Sequence, residues 1–558
     1  MKWLRLLFVI GVSSLISSCI FVPKVSEVRL STDSVILKVG ESITLTATVE
    51  PKEADYDVIV WTSSDPTIAS VENGKIIANK VGTANITASV EGVSSRPCVV
   101  AVQAVLVSSI TLDHSSVELL EGESLKLNAT VTPSNATDQG LKWSSSNESV
   151  ATVDSYGNVK AINDGIATIS VVSVDGGSQN YCSIVVKAIY IDFPDVNFRN
   201  YMIENFDLNH NGKISMIEAK EITSIKVSTV DIESVEGIEY LENLESLDVS
   251  NPLGSIISHG RNPDGTYYYV CELPQGKLTS LDISHNPALT FLNCTYNQIE
   301  SLDLSNNTLL DTLRCSLNPI RTLNLLNNTK LTFIECGDNK LTSIDVSNNT
   351  SLVTLFCHCN ELTKIDVSKN TKLETLYFIN NFIESLDISN NLLLTSLYCG
   401  GNWLSNLDLT KNTALTTLHC TLNPITSLNV SRCTALESLD CADILITSLN
   451  VSNNSLLTRL NCRSNDLSTI DVSKNTVLSW FDCSFNNMTS LNVTNNCELS
   501  TLICENNPLT SLDVSKNPKL NYLDCDPITN NLLENLYLAP GQSITTLELP
   551  SYTQIVRK

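Results

Sequence analysis

The chain has 558 residues, of which 42% are apolar, and a formal net charge of -25. This length predicts several domains rather than one core. The excess of carboxylates argues against nucleic acid or an anionic membrane surface as a partner, and its simplest role is to keep the protein soluble.

The start of the chain, from Met1 to Cys19, has the pattern of an export signal. Lys2 and Arg5 precede an apolar run at residues 6–10, and a short segment of small residues then ends at Cys19. That segment resembles the bacterial lipobox, and the resemblance implies cleavage before Cys19 and acylation of its thiol. An ordinary secretory signal is the alternative. No second apolar run of membrane-spanning length follows, so lipid would be the only membrane anchor.

Residues 25–103 and 104–187 repeat one another with a constant offset in position. Both segments consist of short alternating runs broken by Pro, Gly, Asn and Asp turns, which predicts two all-β sandwiches. The motifs V-G-E-S, W-x-S-S and A-S-V or A-T-V resemble group 2 bacterial immunoglobulin-like domains. The recurring positions are Val35, Gly40, Glu41, Ser42, Trp61 and Val71 in the first segment and Val117, Gly122, Glu123, Ser124, Trp143 and Val153 in the second.

Trp61 and Trp143 are expected in the cores of these sandwiches, because burial of large aromatic side chains dominates core energetics. Cys98 and Cys182 fall near corresponding places in the last predicted strand of each domain. With one cysteine per domain, neither sandwich can hold an internal disulfide.

Residues 188–250 are predicted to form a cap in front of the repeats that follow. The apolar residues between Asn197 and Phe206 have helical spacing. The segment that comes next fits an EF-hand loop position by position, so we expect one structural calcium ion that holds the first coil in place. A polar turn that binds no metal is the alternative. The candidate ligands are Asp207, Asn209, Asn211, Lys213 through its carbonyl, Ser215 and Glu218.

The repetitive part of the chain begins irregularly. Residues 237–250 have the character of a first repeat, and the insertion at 251–277 is expected to contain a surface loop because it carries Gly, Pro and three tyrosines. From residue 278 to 526, one phrase of 21 residues is repeated twelve times, which indicates stacked supersecondary units. Residues 527–558, where the pattern decays, are expected to cap the last coil.

The repeated phrase is L-x-x-L-x-C-x-x-N-x-[LI]-x-x-L-D-[VLI]-S-x-N-x-x. Alternation places its second leucine and its cysteine on one face, which predicts a short strand, and L-D-[VLI] predicts a second extended segment on the opposite wall. About six apolar side chains per repeat cannot offset the entropy of ordering 21 residues. Single coils therefore cannot fold, and stacking is obligatory.

The start of the phrase, L-x-x-L-x-C-x-x-N-x-L, resembles the leucine-rich repeat with cysteine at the third apolar position. The phrase S-L-D-V-S-x-N resembles internalin-like and Bacteroidetes-type surface members of that family, and this implies adhesion or recognition of a ligand. The predicted fold class is mainly β. It comprises two Ig-like β-sandwiches, a short helical EF-hand-like cap and a leucine-rich repeat solenoid of 21-residue coils.

Two columns of the repeat are predicted to point inward. The asparagine column starts at Asn297 and is interrupted at Ile444 and Ile528, where local distortion is expected. The cysteines are expected to be buried thiols, because stacked side chains lie about one strand spacing apart, too far for disulfides. They are Cys294, Cys315, Cys336, Cys357, Cys399, Cys420, Cys441, Cys462, Cys483, Cys504 and Cys525, with Phe378 in one gap. His358 points outward by alternation, which argues against a metal site at Cys357-His358-Cys359.

The outward positions of the strands are the candidate ligand face, since the fold does not dictate them. Four successive coils present Phe, Tyr, Tyr and His in one column. Exposed aromatic rings suit a protein or a glycan ligand, and mutual packing that only stiffens the sheet is the alternative. The candidate ligand-binding residues are Phe333, Phe356, Tyr377, Tyr398, His419 and Trp480. Aspartates on the opposite wall are expected to be solvated and bonded to nearby serines.

No catalytic motif is present, and the six histidines are scattered. The sequence favours a non-catalytic, monomeric binding lipoprotein of the bacterial cell envelope, attached to the outer membrane or cell surface. Its ligand would occupy the concave repeat face. A structural envelope protein with the repeats as a spacer is the alternative, and a glycan-active enzyme is a third interpretation.

Overall fold

The computed structural model describes residues 23–251, 256–261, 267–271, 274–526 and 532–558, with backbone alone for 256–261 and 267–271. The predicted export signal, Cys19 and Ile528 lie outside these ranges. The described residues form two compact units that divide between Ala188 and Ile189. None of the helices in these ranges is long and apolar enough to cross a membrane.

The first unit contains two successive β-sandwiches. The strands of the first are β1 (Glu27–Leu30), β2 (Ser34–Lys38), β3 (Ser42–Thr44), β4 (Ala47–Glu50), β5 (Val60–Ser63), β6 (Ala69–Glu72), β7 (Lys75–Ala78), β8 (Gly82–Val90), β9 (Val93–Ser94) and β10 (Cys98–Gln103). Those of the second are β11 (Ser109–Leu112), β12 (Ser116–Leu120), β13 (Ser124–Lys126), β14 (Ala129–Thr132), β15 (Leu141–Ser145), β16 (Ala151–Val153), β17 (Asn158–Ala161), β18 (Gly165–Ser173) and β19 (Gln179–Lys187).

Both sandwiches have the same topology. In the first, β2 pairs in parallel with β10, β10 pairs antiparallel with β8, and β8 pairs antiparallel with β5. Strands β3, β7 and β6 form a second sheet. In the second, β12, β19, β18 and β15 make the larger sheet, and β13, β17 and β16 make the smaller one. The cores lie between these sheets, as the alternating buried residues of β8 and β18 show. The two predicted sandwiches are confirmed.

The repeated motifs of the sandwiches have local structural roles. The carboxylate of Glu41 accepts a hydrogen bond from the backbone N–H of Lys38 at 2.7 Å, closing the turn at Gly40, where φ is 89°. Trp61 packs against the core beside Gly74, where a Cβ would lie 2.4 Å from a backbone oxygen and 3.0 Å from the indole ring. This tight contact requires glycine at that turn. The equivalent tryptophan and glycine of the second domain repeat the contact.

The second unit begins with short elements around a polar loop. They are α1 (Val196–Phe206), α2 (Met216–Lys220), β20 (Ser224–Lys226), a 3-10 helix (Ile238–Tyr240) and β21 (Ser246–Asp248). Helix α1 starts at Asp195, whose side chain accepts hydrogen bonds from the first-turn N–H groups. The insertion that was expected to be a surface loop contains an antiparallel hairpin of β22 (Ile256–Arg261) and β23 (Tyr267–Cys271). Its tyrosine-rich sequence favours a strand.

Parallel strands of three residues form the main sheet of the solenoid. β21 pairs directly with the first regular strand, so the hairpin lies outside the ladder. The regular strands are β24 (Phe291–Asn293), β25 (Thr312–Arg314), β26 (Phe333–Glu335), β27 (Thr354–Phe356), β28 (Thr375–Tyr377), β29 (Ser396–Tyr398), β30 (Thr417–His419), β31 (Ser438–Asp440), β32 (Arg459–Asn461), β33 (Trp480–Asp482), β34 (Thr501–Ile503) and β36 (Tyr522–Asp524). With β20, β21 and β38 (Thr546–Glu548) they make a sheet of 15 strands.

Residues 532–558 add further strands to the solenoid after its last regular coil. β38 extends the main sheet, and β35 (Ser511–Asp513), β37 (Asn535–Leu538) and β39 (Gln554–Arg557) form a parallel sheet on the other wall. Earlier coils have only isolated bridges on that wall, such as Leu302 with Leu323. The expected extended segments there are therefore mostly not strands. In these coils the aspartates accept a hydrogen bond from the serine N–H two residues on.

The cysteines predicted to point inward are buried, and so is Phe378 in their gap. Burial raises the pKa of the Cys294, Cys336 and Cys399 thiols to about 12, so these groups stay protonated at neutral pH. They act as small apolar side chains of the core. The shortest contact, between the sulfur atoms of Cys504 and Cys525 at 3.1 Å, is a hydrogen bond and not a disulfide.

A first ladder of asparagines, ladder A, joins each coil to the one before it. Asn318 is typical: its Oδ1 accepts the N–H of Ile299 at 3.0 Å, and its Nδ2 donates to the carbonyls of Cys294 and Cys315. Both ends of the amide are thus satisfied without water, as the prediction required. Ladder A comprises Asn297, Asn318, Asn339, Asn360, Asn381, Asn402, Asn423, Asn465, Asn486 and Asn507.

A second ladder, ladder B, lies at the S-x-N turns and was not predicted. The Nδ2 of Asn370 donates to the carbonyls of Val346 and Asn349, both in the preceding coil. Cys433 replaces asparagine in one coil. Ladder B comprises Asn286, Asn307, Asn328, Asn349, Asn370, Asn391, Asn412, Asn454, Asn475, Asn496 and Asn517, all fully buried.

One residue per coil, directly before ladder A, has a left-handed backbone. Only Gly401 is a glycine among them, and Leu422, with φ of 54°, is typical of the rest. The coil in which Ile444 interrupts ladder A has two such residues, Asp443 and Leu445, so the predicted distortion is present there. The left-handed conformation costs a non-glycine residue roughly 1 kcal/mol, and the coils with a non-glycine residue at this position carry this strain.

Replacing the strained residue by glycine should stabilise the solenoid. Leu422 is 61% exposed, so Leu422→Gly loses little burial and removes the left-handed strain. After the entropy cost of glycine, we expect a gain of about 0.5–1 kcal/mol in unfolding free energy, measured by urea denaturation. Leu326→Gly is the matched control, because Leu326 is 56% exposed without a positive φ. It should destabilise, and equal effects of the two changes would contradict the assignment of strain.

Candidate functional site

The outer face of the main sheet is formed by strand residues that alternate with the buried leucines. In β27 to β30 the first and third residues are half-buried, while the central leucine is fully buried. Strand register places Phe356, Tyr377, Tyr398 and His419 side by side in consecutive strands. Together with Phe333 from the neighbouring position, they are called the aromatic column below.

The rings of the aromatic column form one continuous series of contacts. Phe333 meets Phe356 edge to face at 5.7 Å between centroids, and Phe356 meets Tyr377 in the same way at 5.6 Å. Tyr377 and Tyr398 are tilted at 4.9 Å, and Tyr398 stacks on His419 at 6.1 Å. Such pairs contribute about 0.5–1.5 kcal/mol each beyond area burial. Mutual packing, one of the two hypotheses, is therefore present.

The packing leaves the column accessible. All five side chains are half-buried rather than buried, and the imidazole of His419 is 29% exposed. Partial burial raises the pKa of Tyr377, so its hydroxyl stays protonated as a hydrogen-bond donor. The rings thus stiffen one another and still present a surface, which suits a preorganised binding face.

Carboxylates border the aromatic column on both sides. His358 lies over Gly337, where a Cβ would meet its ring at 2.2 Å, and its Nε2 is 3.2 Å from Asp338. The same ring meets Tyr377 edge to face at 5.0 Å. At the other border, Nε2 of His419 lies 3.7 Å from Asp440. His358 therefore points outward, as alternation predicted, and it widens the column.

Trp480 is separate from the aromatic column. The guanidinium of Arg459 stacks on its indole, 3.5 Å from the ring centroid. Strands β31 and β32 lie between the strand of His419 and β33, which contains Trp480. Sequence reasoning missed this contact, although the two residues occupy the same position in successive repeats and their strands pair in register. Of the six candidate ligand-binding residues, five lie together and Trp480 lies apart.

The far end of the outer face is acidic. Asp482, Asp524 and Glu548 lie in one row, with Ile503 between the first two, and Glu505 lies beside them. Burial raises the pKa of Asp482, and burial with nearby carboxylates raises that of Asp524. Ionisation of Asp482 and Asp524 is therefore less favourable in the folded protein than in water.

The aspartates of the opposite wall behave differently. Asp366 and Asp387 each accept a hydrogen bond from the serine N–H two residues on, and bonds to these serines lower their pKa values. This is the solvated, serine-bonded face that was expected. Among the described residues no set of three His, Cys, Asp or Glu side chains is grouped to hold a metal, at the opposite wall or around His358.

The loop between α1 and α2 gathers polar side chains on its inside. Asp207 accepts the N–H of Asn211 and, at 2.7 Å, that of Gly212, where φ is 80°. Asn209 and Asn211 also accept N–H groups two residues on. Three of the predicted calcium ligands therefore line one side of a tight turn.

Glu218 closes this loop. One carboxylate oxygen accepts the N–H of Leu208 at 2.9 Å, and the other accepts that of Ser215, which caps α2. Asp207 and Glu218 are 7% and 4% exposed, and no lysine or arginine of the described chain forms a salt bridge with either. The side chains of Asp207, Asn209, Asn211 and Glu218 are thus brought together, whereas Ser215 is used as a helix cap. Two buried carboxylates with two amides fit a hard cation such as calcium.

Comparisons with known proteins agree with this architecture. Residues 24–100 and 106–184 match the family model described as Bacterial Ig-like domain (group 2). An uncharacterized protein of Clostridium acetobutylicum is 38% identical over 165 residues, 29% of this chain and 17% of that protein. An Ig-like virion protein of Serratia phage KSP90 is 31% identical over 169 residues, 29% of this chain and 66% of that protein. The chain thus spans less than two thirds of either relative.

The solenoid has a similar solved structure. The functional domain of InlJ from Listeria monocytogenes, described as including a cysteine ladder, is 33% identical with a TM-score of 0.54, over 63% of this chain and 77% of that one. Curated glycosidases also match, but only over 13% to 15% of this chain. The chain therefore carries two group 2 bacterial Ig-like domains and an internalin-like leucine-rich repeat solenoid. This combination is typical of extracellular or cell-surface proteins.

The raised pKa of Asp482 yields a test of the acidic row. Asp482→Asn should raise the melting temperature at pH 7, because the ionised carboxylate is destabilised by burial. The gain should vanish at pH values below both the folded and unfolded pKa of this group, where Asp482 is neutral too. Asn461, in the same column, shows that asparagine can make the same bond to the N–H two residues on. A lower melting temperature at pH 7 would contradict the assignment.

Proposed function

We propose that this protein is a surface recognition protein whose aromatic column binds a protein ligand. The observation that carries the proposal is the continuous, half-exposed series of rings from Phe333 to His419 on one sheet face. The role is non-catalytic, and the anchor is the acylated Cys19 at the outer membrane or cell surface. The small residues that precede Cys19 support this location.

Energetics favour a ligand on this face over a purely mechanical role. The core and both asparagine ladders already connect the coils, so outward positions are free to vary, and they carry Arg, Glu, Asp and Asn in other coils. Aromatic side chains held rigid by their neighbours lose little entropy on binding and are typical anchors of protein interfaces. A spacer would need no such run.

Replacing two rings should abolish capture of the ligand without unfolding the chain. In Tyr377→Leu/Tyr398→Leu, leucine keeps apolar packing and removes the ring faces, so binding to purified extracellular-matrix proteins on an array should fall about tenfold or more. Tyr156→Leu, at a tyrosine that is 74% exposed on the second Ig-like domain, is the control.

Three outcomes would decide against the proposal. Equal capture by the double variant would remove the aromatic column as the site. If glycans are spotted on the same array, capture of the glycans alone would show that the ligand is a glycan and not a protein. Absence of capture by the unchanged chain on every spot would favour the spacer role.

We also propose that the loop from Asp207 to Glu218 binds one calcium ion. An ion there would join the end of α1 to the start of α2 through carboxylate and amide oxygens. The support is the convergence of two buried carboxylates on one glycine-containing turn. The α1–α2 segment belongs to the same buried core as the first coils, so the ion would stabilise the start of the solenoid.

Calcium should therefore raise the melting temperature of the full chain, and EDTA should reverse the rise. Glu218→Gln keeps one oxygen for the capping box, because glutamine serves at that helix position, but it removes one charge and the second acceptor oxygen from the site. The calcium-dependent rise should be lost in this variant and kept in Glu221→Gln, which changes an exposed carboxylate at the end of α2. A melting temperature unaffected by either calcium or EDTA would refute the site.

A further inference from the structure

Aromatic rings on the outer face of the sheet make cation–π contacts with arginine side chains of the same chain. The guanidinium of Arg314 lies 4.6 Å from the ring centroid of Phe333, and it also pairs with Glu335 at 2.9 Å. Arg459 covers Trp480 at 3.5 Å. A planar guanidinium on an aromatic face is a favourable cation–π contact, strengthened where water is partly excluded.

The same combination recurs near the other end of the sheet. Arg463 lies 4.1 Å from the ring centroid of Phe485 and pairs with Glu505 at 3.1 Å, while it also donates to Ser484. Ring, guanidinium and carboxylate therefore occur together at Phe333, the first ring of the aromatic column, and at Phe485, beyond the other end of the column. All three contacts use the chain's own arginines.

The middle of the face has two of these three components. Among the described residues, no lysine or arginine lies over Phe356, Tyr377 or Tyr398, and the ion pairs of Asp338 and Asp440 are with histidines alone. Rings and carboxylates are present there, and the guanidinium is the missing component. The acidic row beyond Asp440 adds further carboxylates, of which Glu505 pairs with Arg463.

We propose that the ligand of this face is a polypeptide segment that presents arginine side chains, which stack on Tyr377 and Tyr398 and pair with Asp440 and the acidic row. This inference rests on the proposed function and names the chemistry of its partner. Arginine is favoured over lysine because its planar group both stacks and binds carboxylates in a bidentate manner. The net charge of -25 would attract such a segment at long range.

The carboxylates of the acidic row supply independent support. Asp482 is 6% exposed, and its bonds to Ser484 are the hydrogen bonds described for it. Its raised pKa, and that of Asp524, show that ionisation there is opposed by burial and by neighbouring carboxylates. An incoming cation would relieve both costs, so the binding energy would be largest at this end of the face.

The test uses the full chain and three short fluorescein-labelled peptides that differ only at every third position, where they carry arginine, lysine or citrulline. Fluorescence polarisation at physiological salt should show binding of the arginine peptide, weaker binding of the lysine peptide and none of the citrulline peptide. Citrulline has nearly the shape of arginine without its charge, so it separates electrostatics from shape.

Three double variants locate the binding, and the two aspartate variants among them remove the same charge. Asp440→Asn/Asp482→Asn should weaken the arginine peptide about tenfold, and Tyr377→Leu/Tyr398→Leu should do so to a similar extent. Asp366→Asn/Asp387→Asn, on the opposite wall, removes the same charge and should leave the affinity unchanged. Asparagine occupies equivalent positions in both columns, at Asn461 and Asn429, so each fold should be retained.

Failure would take a recognisable form. No binding of the arginine peptide, equal binding of the citrulline peptide, or equal weakening by the two aspartate pairs would each overturn the inference. Capture of a matrix protein that depends on Tyr377 and Tyr398, without binding of the arginine peptide, would leave the proposed function standing while this inference fails.

Discussion

Hydrogen bonds between successive coils, made by buried asparagine amides, are the interaction on which the solenoid depends. A single coil buries too few side chains to fold alone, and its turns leave carbonyls that water cannot reach. The amides of ladder A donate hydrogen bonds to these carbonyls on one side of the coil, and the amides of ladder B do so on the other side. Because each amide reaches back to the preceding coil, the ladders fix the stacking distance that brings successive strands into register.

Because buried positions hold the coils together, the residues of the outer face are free to serve recognition. Leucine, cysteine and asparagine positions are the same from coil to coil, whereas the outward column passes from Arg314 and Glu335 through the aromatic rings to Asp482 and Asp524. The rings are stiffened by contact with one another, and burial raises the pKa of the far carboxylate Asp482. The buried carboxylates on this face do not stabilise the fold, so a ligand explains them better than folding does.

Most of the fold follows from the sequence because the fixed period of the repeat and the alternation within each strand leave one arrangement possible. Those features predicted the inward cysteines, ladder A and the order of the aromatic column. Ladder B and the antiparallel pair of β22 and β23 were missed, because turn asparagines usually signal only turns and an insertion has no repeat to follow. The extended segments predicted on the opposite wall are joined by isolated bridges in the earlier coils and pair as strands only near the end of the solenoid. Contacts such as Arg459 on Trp480 depend on side-chain rotamers, which periodicity does not encode.

Urea denaturation of two single variants compares most directly how much a buried amide and an outward ring contribute to the free energy of unfolding. Asn381→Ala removes an amide that donates to carbonyls in two coils, and Tyr398→Asn places on the outer face a residue that Asn461 already shows to fit there. The account predicts a cost of about 2–3 kcal/mol for the first and under about 1.5 kcal/mol for the second. A cost for Tyr398→Asn equal to or above that of Asn381→Ala would contradict it, since the aromatic column would then be part of what holds the coils together.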